Sequence, residues 1–222
     1  MEHYNMVDVM VPGETGRIHA VYQKGPEDSA PMAVIIPGAP RAGLHMNDRI
    51  NYALFRAYMD IGFSVIRFDF RGVGDSEGIL GNLDDNLRDI ASVVDWIQNQ
   101  NEEADVLWLA GARQGAWYVL QSMMRRPEVR GFTLVSPDHM ITNYAFLSPR
   151  PNRGLLLQGA NECPDALNFA PHLTQLLKRQ AKINLETIRV KNSDEKFERT
   201  LKQMYDEIKA YVGREKEENR LL

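Results

Sequence analysis

The chain has 222 residues, of which 44% are hydrophobic and 25% charged, and a formal net charge of −4. That is globular composition, long enough to bury a core without staples. It excludes a chain-wide basic field for nucleic acid or anionic lipid, and the lone cysteine, Cys163, excludes an internal disulfide. In chain order, residues 4–11 and 17–23 alternate apolar and polar side chains around Pro12-Gly13, which predicts an antiparallel pair at a sheet edge. Residues 32–36 are a continuous apolar run closed by Pro37-Gly38, the mark of a strand buried on both faces. A helix is expected over 51–60, and a second buried strand over 63–70.

The loop 71–81 carries four glycines. An amphipathic helix over 84–98 places Leu87, Ile90, Val94 and Ile97 on one face. A strand over 106–110 runs into Gly111-Ala112-Arg113-Gln114-Gly115, followed by a helix from Ala116 to Arg126 that stops at Pro127. Strands over 131–135, 154–158 and 184–190 and a helix over 170–178 come next. The last helix starts near Glu198 and stacks Leu201, Met204, Ile208 and Tyr211. Residues 1–213 read as one domain and 214–222 as a charged, solvated or frayed tail. Strands alternating with helices predict a mostly parallel central sheet covered on both faces, with sites outside the carboxyl ends of the strands.

No apolar run approaches the roughly 18 residues of a membrane span. The first ten residues carry Glu2 and Asp8 and no Lys or Arg, unlike a signal or transit peptide. The expectation is a chain with no membrane and no nucleic-acid partner, in the cytoplasm or another reducing intracellular compartment. An organelle matrix is included if a presequence has been removed.

The residues at the expected strand ends carry a resemblance. Arg67-Phe68-Asp69-Phe70-Arg71-Gly72-Val73-Gly74-Asp75-Ser76-Glu77-Gly78 resembles the RFNFRGVGxSxG segment of a compact bacterial α/β-hydrolase family with little or no lid. Met46-Asn47-Asp48, Trp108-Leu109-Ala110-Gly111, Gly115-Ala116-Trp117 and Arg125-Arg126-Pro127-Glu128 extend the likeness over nearly the whole chain. The resemblance implies an α/β-hydrolase fold with N-terminal antiparallel edge strands. It also implies a nucleophile elbow, G-x-S-x-G, whose serine sits on a sharp strand-to-helix turn.

Aligned to that family, the serine position holds Arg113, between Gly111 and Gly115. A guanidinium is already protonated and has no lone pair with which to attack. The acid position falls on Glu162, with Asp165 as an alternative, and the base position on Glu195. The family's HPHP segment near the oxyanion hole reads Pro37-Gly38-Ala39-Pro40. None of the five histidines, at 3, 19, 45, 139 and 172, follows the last strand.

The expected role is therefore a pseudo-hydrolase acting as a subunit, scaffold or binding protein. Two readings stand beside it: a hydrolase of a small ester or acyl substrate using other residues, and a cleft for an anionic metabolite. Arg113, Gln114, Gly38 and Ala39 are the candidate anion contacts. Glu162 and Glu195 are expected to neutralise Arg113 within the protein. Cys163 could be a substitute nucleophile, but no histidine is placed to shuttle its proton. His45 and His139 are ordinary surface histidines that could contact a ligand. No carboxylate pair has histidine partners at ligand spacing, so no metal is expected. The glycine loop lacks the Gly-Lys-Ser/Thr of a phosphate loop, so no cofactor is expected, and its glycines are read as covering the cleft floor. A protein complex or a homo-oligomer is open.

Overall fold

The computed structural model describes residues 6–38, 40 and 43–220, with the side chains of 219 and 220 excepted. Eight strands form one sheet in the order β1-β2-β4-β3-β5-β6-β7-β8. They are β1 (Val7–Pro12), β2 (Arg17–Gln23), β3 (Met32–Ile36), β4 (Ser64–Phe68), β5 (Leu107–Ala112), β6 (Val129–Val135), β7 (Arg153–Gly159) and β8 (Asn184–Val190). The first two are antiparallel, β2 runs antiparallel to β4, and every later pairing is parallel.

The apolar runs explain the layering. Along β3, Met32, Val34 and Ile36 face one core cluster while Ala33 and Ile35 face the other. Along β5, Leu107 and Leu109 oppose Trp108, Ala110 and Ala112 in the same way. A strand with both faces covered has no polar side to alternate with. Helices α2 (Leu83–Gln100), α3 (Gln114–Arg125) and α4 (Pro164–Gln175) cover the first face. Helices α1 (Arg49–Asp60) and α5 (Leu201–Arg220) cover the second. Trp108 fills the second layer against Tyr58, Phe63 and Tyr211, and it needs Gly131 beside it, since a Cβ there would lie 2.4 Å from the indole.

Helix α2 buries Leu87, Ile90, Val94 and Ile97, the face its periodicity predicts. It starts on a reciprocal cap: the Asn82 side chain accepts from the Asp84 and Asp85 amides, and Asp85 accepts from the Asn82 amide.

Two expectations are corrected. Helix α4 begins at Pro164, six residues before the expected start at Ala170, because proline at the first helical position forfeits only an amide that no helix would use. The segment after Gly213, expected to be solvated or frayed, is helical through Arg220, with Arg214, Glu217 and Glu218 exposed. Its charges are tied down: Arg153 bridges Glu215 at 2.6 Å and Glu218 at 2.8 Å, Arg214 reaches Glu186 at 2.7 Å, and Lys216 donates to the Ile61 carbonyl at 2.6 Å.

Candidate functional site

The turn between β5 and α3 is built from backbone contact. A Cβ on Gly111 would lie 2.7 Å from the Gly115 carbonyl, and one on Gly115 would lie 2.6 Å from the Ile36 carbonyl. Two glycines therefore let the chain reverse against the end of β3. Arg113 sits at the apex with φ 56° and ψ −123°, a region that L side chains rarely adopt. Holding a non-glycine residue there costs about 1–3 kcal/mol. The Arg113 amide donates to the Val135 carbonyl at 3.0 Å, and its own carbonyl accepts from Ala116 at 3.1 Å.

Arg113 is half-buried and lines a cleft of about 400 Å³. Leu44, Ile50 and Ala112 give this cleft its apolar wall, with Gly38 at one end. Glu195 lines it from the loop after β8. Thus the structure brings together Arg113, Glu195 and Gly38. Gln114 opens α3 beside them, and Ala39 lies outside the described residues. Asp48, Arg49, Lys196 and Glu198 also line the cleft and were not foreseen. Asp48 closes the Met46-Asn47-Asp48 match, and the sequence signal for Arg49 and Lys196 is adjacency to Asp48 and to Glu195.

The expected ion cluster does not form. Among the described residues, Arg113 makes no ion pair with Glu162 or Glu195. Glu162 is buried and committed elsewhere: it accepts from the Ser136 hydroxyl at 2.5 Å, the Gly159 amide at 2.7 Å and the Gln158 amide group at 3.1 Å. Ser136 itself holds φ 42° at the end of β6. The path of the β7 turn, which the sequence does not specify, aims Glu162 at these donors. Asp165 is exposed in the first turn of α4. Cys163 is exposed at the helix cap before it, away from the cleft lining. His139 is half-buried and does not line the cleft. No histidine or serine occurs among the described lining residues. No group of three or more metal-binding side chains occurs among the described residues either.

The glycine loop does not floor this cleft, as its expected position implied. It packs between β2 and α2: Gly72 donates to the Glu77 carbonyl at 3.1 Å, Ser76 Oγ donates to the Asp69 carbonyl at 2.8 Å, and Arg17 grips Glu77. Its Val73, Gly74 and Asp75 line a second hollow with His19, His45 and Asp69. Asp69 is buried and accepts from the Met46 amide at 2.6 Å. Burial holds its carboxyl above the usual aspartate range, against the pull of that amide and of nearby His45 and His19.

A raised carboxyl favours folding below the unfolded-state value, and that contribution is lost as the pH rises through the folded value. Asp69→Asn keeps an acceptor for Met46 and removes the buried charge. It should therefore stabilise the protein at pH 7, with the gain shrinking as the pH falls through the raised folded-state value and the parent carboxyl takes up its proton. Urea midpoints at pH 7 and at successively lower pH measure this. A gain that grows on acidification would invert the assignment.

Similarity to known proteins agrees with this architecture. An uncharacterized protein of Rickettsia prowazekii (strain Madrid E) is 31% identical over 214 residues, spanning 93% of this chain and 89% of its own. The crystal structure of a protein of unknown function from Agrobacterium tumefaciens matches with a TM-score of 0.88 at 32% identity, over 94% of this chain and 96% of that one. A lid-less α/β serine hydrolase from Xanthomonas campestris matches with a TM-score of 0.80 at 23% identity, over 94% of each chain, and supports the fold alone. No helix among the described residues is long and apolar enough to cross a membrane. The fold is that of the α/β hydrolases, and with its family model matching residues 40–206 the chain belongs to the hydrolase family described as serine aminopeptidase, S33.

Proposed function

We propose that this chain is a catalytically degenerate member of its family that binds a small ligand in the cleft without turning it over. In this reading Arg113 stands at the nucleophile position, Glu162 at the acid position and Glu195 at the base position. The observation that carries it is Arg113 itself. The residue occupies the apex of a strained strand-to-helix turn and lines an open cleft. Acyl transfer needs a nucleophile with a lone pair and a base to take its proton. A guanidinium supplies neither. The loop after β8 offers a carboxylate where the reaction needs an imidazole. The cleft has nonetheless kept a volume and an apolar wall suited to a small molecule.

The expected result is no burst and no steady hydrolysis of short p-nitrophenyl esters, and no labelling by a fluorophosphonate probe. Arg113→Ser alone should give no enzyme-like turnover, because triad members act as a unit and Glu195 would remain at the base position. Stoichiometric labelling of any serine in the parent protein would sink the proposal. Efficient catalysis by Arg113→Ser would show that a base had been misplaced.

A further inference from the structure

We propose that the ligand of this cleft is a small zwitterion, a carboxylate and an ammonium carried on one apolar body. The inference rests on the non-catalytic reading above and concerns what the same cleft binds.

Arg113 and Glu195 come from separate loops, after β5 and after β8, and both line the cleft half-buried. They carry opposite charge, yet they form no ion pair with each other, and neither has another side-chain hydrogen bond or ion pair among the described residues. Of the other charges on the same cleft, Arg49 donates to the Glu198 carbonyl at 3.1 Å, while exposed Lys196 and Glu198 and half-buried Asp48, like the first pair, have no side-chain partner among the described residues; the cleft thus presents unpaired charge of both signs. Partly desolvated charges are costly when unpaired. A ligand that reaches both removes that cost twice.

A simple anion at Arg113 would leave Glu195 unmatched and repelled, and a simple cation would do the reverse to Arg113. A zwitterion satisfies both. The planar guanidinium fits a carboxylate in two parallel hydrogen bonds, and a carboxylate accepts well from an ammonium. Between them, Leu44, Ile50 and Ala112 offer apolar contact to the body of the ligand. The strained backbone at Arg113 fits the same account, since strain of this kind concentrates at ligand clamps.

Calorimetric titration with four probes tests this: 6-aminohexanoate, hexanoate, hexylamine and leucine. The first three share an alkyl chain and differ in their charged ends. The parent protein should bind 6-aminohexanoate or leucine about ten-fold or more tightly than hexanoate and hexylamine, as expected when a charge-assisted contact is lost at either end. Arg113→Met should bind the zwitterion and hexylamine alike. Glu195→Gln should bind the zwitterion and hexanoate alike. If the parent binds none of the four, or binds hexanoate as tightly as the zwitterions, the inference is overturned. The parent panel decides this even if a variant folds poorly. Ester hydrolysis or fluorophosphonate labelling would overturn the non-catalytic reading separately. An inert protein that ignores all four probes would overturn only the zwitterion.

Discussion

Asp89→Ala is expected to destabilise the protein by about 3 kcal/mol. Asp89 sits on the inner face of α2, 1% exposed, and receives the Arg71 side chain in a fork with contacts of 2.7 to 3.1 Å. It also accepts from the Arg71 backbone amide at 3.0 Å. Arg71 is 5% exposed and opens the glycine loop. Removing the carboxylate strands a buried guanidinium and an amide together, and breaking such a pair from one side costs roughly 3–5 kcal/mol. The low end applies because Asp85 and Glu14 each stand 3.6 Å from the guanidinium and can take up part of its charge. Pairing Asp89→Leu with Arg71→Met should recover part of the loss, since apolar replacement of both partners relieves the uncompensated charge. Denaturant midpoints of the single and double variants give the coupling. A single-variant loss below about 1 kcal/mol would mean that the pair is effectively solvated.

Gly115→Ala is expected to cost about 2 kcal/mol net, although alanine is the better helix former by roughly 1 kcal/mol. The added methyl would meet the Ile36 carbonyl at 2.6 Å and the Pro37 carbonyl at 3.0 Å. Both are backbone atoms at the end of a buried strand, so α3 must lift from the sheet. Arg113→Gly, two residues away, should do the opposite and stabilise by about 1 kcal/mol. It relieves backbone strain of about 1–3 kcal/mol at a cost of roughly 0.5–1 in chain entropy. Thermal melts of the two variants should therefore move in opposite directions. A neutral Gly115→Ala would show that the elbow has slack, and a destabilising Arg113→Gly would show that the arginine side chain contributes contacts that outweigh the strain.

Local pattern was enough for most of the scaffold. The continuous apolar runs at 32–36 and 106–110 predict strands buried on both faces, and the structure places β3 and β5 side by side at the centre of the sheet. The periodicity of α2 named its buried face correctly. Elements whose limits depend on less periodic residues were harder to delimit. The first turns of α4 bury only Ala166 before Ala170, too sparse a stripe to announce a helix. The end of α5 is mostly charged, and its side chains meet partners on β7, on β8 and at the end of α1.

At the site, the sequence by itself determined which side chains are present: Arg113 at the turn, two acids on later loops, and no histidine after the last strand. Only the tertiary structure decided which of them meet. Ion pairing depends on separations of a few ångströms, and loop paths set those separations, whereas residue spacing along the chain does not. The β7 turn carries Glu162 inward to Ser136 and the Gly159 amide, where hydrogen bonds already satisfy it. The loop after β8 brings Glu195 to the rim of the same cleft as Arg113 but not into contact with it. An expected closed ion cluster is therefore an open cleft in which Arg113 and Glu195 stay unpaired, because folding placed the two acids at different depths.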